Sequence, residues 1–439
     1  MKGYIRLLIV ALLFPAGKIQ AQEVPEKWDL AACLDYALAH NIQVKKSRVA
    51  LLESQENTRE AKAQLFPSLG ASVTQGFVNY PSTGATANNS YSGNYSVTAN
   101  WKLFDGGQRI WQIEQQKLRD DVEESGIRES ENDIQIAITK TYLQILYAYE
   151  AVRINENTLE VSDAQRKRAA GLLAAGSIAR SDYAQLEAQY STDKYQLVVA
   201  RTNLDDYKLQ LKQLLELDIT QHIDVVIPEL DDADVLAPLT DKETIYRTSL
   251  AVMPEIKSSR LNTGIAELEI KKAKAAYWPT ISLNAGIGTG HLSGTGYTYG
   301  SQLWDKFNES VGLTVSIPIF TNRSNKTAVQ LAKLQHINSR LDELNTQKEL
   351  LKTVEGYYLD ATSAQNQFVA AGEKLKAVEE SYRLASEQFD LGMKNTLELL
   401  TEKNNLLNAQ QEVLQSKYMA ILNIRLLDFY QDKPIRLGN

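Results

Sequence analysis

One cysteine and four histidines in 439 residues leave little for covalent or metal chemistry. The single thiol, Cys33, cannot form an internal disulfide. His40, His222, His291 and His336 stand far apart without metal-ligand spacing, and no nucleophile–base grouping accompanies them. Neither a metal centre, a cofactor site nor an enzyme is therefore expected. Beyond the N-terminal segment no run of eighteen apolar residues exists, which excludes a membrane-spanning helix. A net charge of −7 argues against nucleic acid as a partner. Proline is scarce, ten residues in all, and none falls between Asp105 and Ala175 or between Thr321 and Leu391.

What is present begins with a secretory signal over residues 1–21. Lys2 and Arg6 form a basic start, Leu7 to Ala16 is apolar, and Ile19-Gln-Ala21 offers a small residue for cleavage, so the mature chain is expected to begin near Gln22. Leu30-Ala-Ala-Cys33 imitates a lipidation signal, but Trp28 and Asp29 separate it from the apolar stretch. Cys33 therefore reads as an ordinary helix residue.

The mature chain contains one pattern twice, over residues 22–217 and 241–439. Ala-Gln-Leu-Phe-Pro67 answers to Ala-Ala-Tyr-Trp-Pro279, Leu103-Phe104 to Ile319-Phe320, and Ala-Ala-Gly176-Ser to Asp-Leu-Gly392-Met. Seventy-two residues separate Phe104 from Gly176 and Phe320 from Gly392 (176−104 and 392−320). Equal spacing of this kind points to two copies of one supersecondary unit side by side. Residues 218–240, with Pro228 and Pro238, read as an ordered connector.

Each copy opens with a helix (Leu30 to Leu65, Lys242 to Tyr277) and continues as a β-hairpin (66–104, 279–320). Four segments alternate with period two: Leu69 to Phe77, Tyr95 to Leu103, Ile281 to Ile287 and Val311 to Ile319. Runs of about ten residues cross a bilayer at barrel tilt. Phe66, Trp101, Phe104, Tyr277, Trp278 and Phe320 gather at one end, as a girdle at a membrane–water interface would. A soluble sandwich would alternate in the same way. Four strands cannot close a barrel, however, and an open edge in lipid leaves backbone groups unsatisfied, so strands in a membrane would have to be pooled by several chains. The hairpin tips, Pro81 to Ser90 and Gly290 to Trp304, should face solvent. Gly286-Ile-Gly-Thr-Gly290 resembles a phosphate cradle, but it precedes no helix and lacks the Gly-Lys-Ser/Thr ending, so no nucleotide is expected.

The proline-free runs 105–175 and 321–391 read as helices of about 105 Å at 1.5 Å per residue. Return helices 181–217 and 396–432 follow the glycine turns. Apolar positions are dispersed among Ala and Gln, which suits a curved wall with one wet face; a solvated coiled-coil stalk is the bland alternative.

Membrane hairpins, periplasm-length helices and a tandem repeat together resemble the TolC-like outer membrane efflux protein family over essentially the whole mature chain. The markers are Ala37-Leu-Ala-His-Asn41 with Ser249-Leu-Ala-Val-Met253-Pro254, Phe66-Pro67 with Trp278-Pro279, Leu103-Phe-Asp-Gly-Gly107, and the two turn glycines, each followed six residues on by a carboxylate, Asp182 and Glu398. Copy two departs at Thr321-Asn-Arg323, where the glycine pair is missing, and that turn is expected to differ in geometry.

The resemblance implies a mainly α chain with membrane β: a homotrimer, each chain giving four strands to a twelve-stranded β-barrel continued by a long α-helical barrel. It implies an outer membrane exit duct of a tripartite efflux pump or type I secretion system, embedded in outer membrane lipid. A periplasmic adaptor would couple it to an inner-membrane pump of RND or ABC type. A periplasmic adaptor, stalk or adhesin without a barrel is the alternative. Carried over by position, the periplasmic gate falls on Ser181, Asp182, Phe389, Lys394, Glu398 and Thr401. Here Phe389 stands for the family's tyrosine and Thr401 for its second carboxylate. Adaptor docking falls on the turns Ala175-Gly176-Ser177 and Leu391-Gly392-Met393.

Overall fold

A computed structural model describes residues 27–79 and 89–437. The signal segment and most of the first hairpin tip, Pro81 to Ser90, lie outside the described residues. In chain order the elements are α1 (Leu30–His40), α2 (Ile42–Ala63), β1 (Ser68–Asn79), β2 (Asn89–Phe104), α3 (Gln108–Ala174), α4 (Arg180–Leu214) and α5 (Asp232–Val235). Copy two continues with α6 (Lys242–Val252), α7 (Pro254–Ala275), β3 (Thr280–Leu292), α8 (Tyr299–Asp305), β4 (Asn308–Ser316), α9 (Ser324–Asp390) and α10 (Thr396–Phe429).

The two long helices have 67 residues each, about 100 Å at helical rise. The return helices pair with them, α4 on α3 and α10 on α9, while α2, α3, α7 and α9 lie side by side in that order. Each opening helix, read as continuous from the sequence, is broken. Asn41 (φ −57°, ψ 134°) ends α1 and caps α2, its side chain accepting from the Gln43 N–H. Met253 (φ −69°, ψ 129°) likewise separates α6 from α7, without a side-chain cap, because Pro254 disfavours helical backbone in the residue before it. The return helices stop at Leu214 and Phe429, short of 217 and 432, where Glu216 (φ 55°) and Asp432 (φ 60°) turn left-handed.

The strands form one antiparallel sheet in the order β1-β2-β3-β4. Register keeps like faces together: Leu69 opposite Ala99, Ala99 opposite Ala285, and Ala285 opposite Val311 on one face, with Asn100 opposite Asn284 and Asn284 opposite Gly312 on the other. The fourth strand ends at Ser316 rather than Ile319, since Pro318 has no N–H for the ladder. The glycine-rich run 286–290 sits inside β3. The second hairpin tip is not a simple solvent loop: it contains α8, and His291 and Gln302 are buried beneath it.

The turn into α9 has the same geometry as the turn into α3, contrary to expectation. Gly106 and Gly107 have φ of 68° and 87°, and Asn322 and Arg323 adopt 47° and 67° without being glycine. Both turns close alike, Gln108 N–H to the Asp105 carbonyl (3.3 Å) and Ser324 N–H to the Thr321 carbonyl (2.8 Å). The strand-to-helix reversal dictates the backbone, and in copy two Asn and Arg carry its strain.

The main core lies at mid-length of the long helices. Trp28, Ile138, Tyr142, Leu211, Val235 and Ile421 are buried together there. The connector is ordered against it: Trp28 bridges Val225, and the Tyr142 hydroxyl donates to the Val226 carbonyl at 2.6 Å. Cys33 is a fully buried residue of α1 in this core, which pushes its thiol pKa up to about 12, through burial first and the nearby Asp29 charge second.

Candidate functional site

Each long helix must reverse at its far end, and both reversals use a left-handed glycine, Gly176 (φ 70°) and Gly392 (φ 75°). Gly176 and Ser177 donate their N–H groups to the carbonyls of Leu173 (3.0 Å) and Leu172 (2.8 Å); Gly392 and Met393 donate to Phe389 (3.0 Å) and Gln388 (2.8 Å). A Cβ on either glycine would meet open space, so the backbone angle alone demands glycine. Ala175, Gly176, Ser177, Leu391, Gly392 and Met393 are all exposed.

The return helices begin differently in the two copies. Asn395 caps α10, and Glu398 completes a reciprocal box with it: each side chain accepts from the other's N–H at 2.9 Å. The equivalent cap of α4 is Ala179, which has no side chain to offer, and Asp182 lies in that first turn where the helix end favours negative charge. Thr401 donates to the Leu397 carbonyl at 2.9 Å. Ser181 is exposed, and Phe389 and Lys394 are half-buried. The hydrogen bonds recorded for Glu398 and Thr401 are thus local to their own helix.

Among the described residues, the two copies are joined nearest the turns by groups that were not singled out in the sequence. Arg168 of α3 pairs with Asp390 of α9 at 2.5 Å. One turn higher, the Gln165 amide donates to the Tyr382 hydroxyl at 3.1 Å. Above that lies a buried charge: the Lys403 ammonium reaches Asp193 at 2.5 Å and also donates to the Ser162 hydroxyl, which donates to the same Asp193 oxygen. The Gln189 amide holds the other carboxylate oxygen at 2.8 Å. Lys403 and Asp193 are only 5% and 2% exposed. This knot ties α3 and α4 of copy one to α10 of copy two, about 20 Å above the turns at helical rise. Its visible signal is that Asp193 interrupts the buried seam Leu186, Leu197, Leu204, Leu211 of α4.

At the opposite end of the helices, the aromatic residues beside the strands stand outward. Phe66, Trp101, Phe104, Tyr277, Trp278 and Phe320 are all exposed in the single chain. Trp101 is fixed by its indole N–H, which donates to the Leu65 carbonyl at 2.8 Å.

Between α3, α7 and α9 lies a cavity of about 840 Å³ walled by Glu129, Asp133, Glu255 and Glu349. Burial raises the carboxyl pKa of Glu129, Asp133 and Glu255, and neighbouring carboxylate charge adds to it for Glu129 and Glu255. Raised native values mean stability that is fully present below the unfolded values and lost as pH rises through the native ones. Burial would also raise Glu269, but hydrogen bonds from Lys272 and Gln115 override it and hold that group low, so it acts only at lower pH. Thermal unfolding is therefore expected at higher temperature near pH 5 than near pH 7.5, with the difference reduced in Glu255→Gln. A melting temperature that falls on acidification would contradict this.

The family model for outer membrane efflux proteins matches residues 33–216 and 245–424, one stretch per copy. The outer membrane efflux protein BepC of Brucella suis is 22% identical over 416 residues, 94% of this chain and 88% of that protein. The proteases secretion protein PrtF of Dickeya chrysanthemi is 23% identical, over 95% of this chain and 90% of its own length. The solved structure of the outer membrane protein VceC of Vibrio cholerae has the same fold, with a TM-score of 0.74, 16% identity, and coverage of 93% of this chain and 97% of that one.

Proposed function

Because the chain belongs to the outer membrane efflux protein family, we propose that it is the exit duct of a tripartite pump or type I secretion system. Three copies would pool their strands into one twelve-stranded barrel over a common helical tube. The observation that carries this reading is the open sheet: among the described residues β1 and β4 each lack a neighbour on one side, and an unpaired edge cannot stand in lipid. Transport through such a duct is passive. An adaptor in the periplasm couples it to an inner-membrane pump of RND or ABC type; BepC's name states efflux and PrtF's states secretion of proteases. The aromatic set Phe66, Trp101, Phe104, Tyr277, Trp278 and Phe320 then rings the periplasmic face of the membrane.

The junction between copies inside one chain is the template for the junction between chains. Inside, α3 lies on α7 with Leu118 in reach of Gly264, whose added Cβ would sit 3.5 Å from it. The repeat carries α3 onto α9 by 216 residues (Gly176 to Gly392) and α2 onto α7 by 212 (Asn41 to Met253). Leu118 and Gly264 therefore map to Leu334 and Leu52, which are 57% and 60% exposed in the single chain. In a Cys33→Ala background, Leu52→Cys with Leu334→Cys is expected to give oxidised dimers and trimers in outer membranes, and neither single variant trimers. A soluble monomer without cross-links would overturn the duct.

The gate is proposed at the tube mouth, where Ser181, Asp182, Phe389, Lys394, Glu398 and Thr401 meet their counterparts in neighbouring copies. Exposed polar contacts of this kind are individually weak, so the mouth yields to modest adaptor binding on the turns 175–177 and 391–393. The double variant Asp182→Asn, Glu398→Gln is expected to raise basal conductance in planar bilayers; unchanged leak would remove these residues from the gate.

A further inference from the structure

The apolar face of the sheet is not apolar along its whole height. On β2 the outward series Trp101, Ala99, Val97 gives way to Tyr95, and on β3 Ile287 gives way to Thr289 and His291. Toward the same end β1 places Gln75 after Val73, and β4 places Glu309 before Val311. From Trp101 to Val97 is about 14 Å along the strand, or some 10 Å of height at barrel tilt, where a membrane barrel carries an apolar band of about 25 Å. From Trp101 to Tyr91 the same arithmetic gives about 24 Å. The polar stretch therefore falls inside the height that lipid should cover.

Helix α8 lies over that stretch. The Thr289 hydroxyl donates to the Leu303 carbonyl, and the Tyr95 and Tyr299 hydroxyls meet at 3.0 Å while the Gln75 amide donates to Tyr95 at 2.7 Å. His291 is buried against Tyr91, Tyr95 and Tyr299. The buried Gln302 accepts the Leu292 N–H at 2.8 Å. What the tip then turns outward is aromatic: Trp304 is 83% exposed, and Tyr297 and Phe307 are exposed beside it. Such rings settle at headgroup depth.

We infer that the β3–β4 tip is a lipid-facing cap: α8 covers the polar upper part of the barrel wall and sets Trp304, Tyr297 and Phe307 into the outer leaflet at the headgroup–hydrocarbon boundary. The inference rests on the duct reading, which puts the hairpin tips at the cell surface. The cap completes the lipid belt that the strands alone leave too short.

The test is nitroxide labelling of the full chain, reconstituted in lipid vesicles in a Cys33→Ala background, at Trp304→Cys, Leu313→Cys and Thr295→Cys. Collision with oxygen, which partitions into lipid, is compared with collision with a water-soluble nickel chelate. The expected oxygen-to-nickel ratio is several-fold higher at 304 and 313 than at 295. Position 304 behaving like 295 while 313 stays lipid-exposed would overturn the cap and leave the duct standing. Water exposure at 313 would overturn both.

Discussion

Lys403→Met is expected to destabilise the helical part of the chain by roughly 3–5 kcal/mol, the cost of leaving one partner of a buried ion pair uncompensated. The variant strands the Asp193 carboxylate, 2% exposed, with only neutral donors from Ser162 and Gln189. Removing both charges should be far milder: Lys403→Met with Asp193→Leu restores an apolar seam continuous with Leu186 and Leu197. The comparison is made by thermal unfolding of the detergent-extracted protein, with hydrogen exchange on α4 and α10 to locate the loss. A single variant with an unchanged melting temperature would mean that the pair is not formed.

Gly106→Val is expected to cost roughly 3 kcal/mol or more, by two additive causes. At φ 68° a β-branched residue is strained, and an added Cβ would lie 2.6 Å from the Ala275 carbonyl and 2.8 Å from the Trp278 Cβ. The matching turn of copy two gives the opposite sign. Arg323 already carries a φ of 67°, so Arg323→Gly should stabilise by about 1 kcal/mol through relief of left-handed strain. Paired unfolding measurements on the two variants test the claim that one backbone geometry serves both turns; a destabilised Arg323→Gly would refute it.

The duplication, the strands and the long helices were legible because each is a periodic signal written over many residues: alternation in the hairpins, and the absence of proline from 105 to 175 and from 321 to 391. What was missed depends on single residues or distant partners. Met253 before Pro254 announced a break that helical periodicity on both sides concealed, and Asn41 gave a weaker form of the same notice. Helix α8 has seven residues, too few to be stable alone, and it owes its form to docking on Thr289 and His291. The knot at Lys403 joins residues 210 and 241 positions apart. Sequence pattern exposes only its trace, a carboxylate in a leucine seam. The expectation for the Thr321-Asn-Arg323 turn failed because glycine was taken as the cause of the geometry, whereas the strand-to-helix reversal is the cause.

The Lys403 knot also bears on how such a mouth would dilate. It fastens the two helical hairpins of one chain to each other about 20 Å above the turns, whereas in the proposed trimer the seam from one chain to the next would set Leu334 against Leu52 with no covalent continuity. In the proposed trimer an iris built this way would have three blades rather than six, with its compliance between chains.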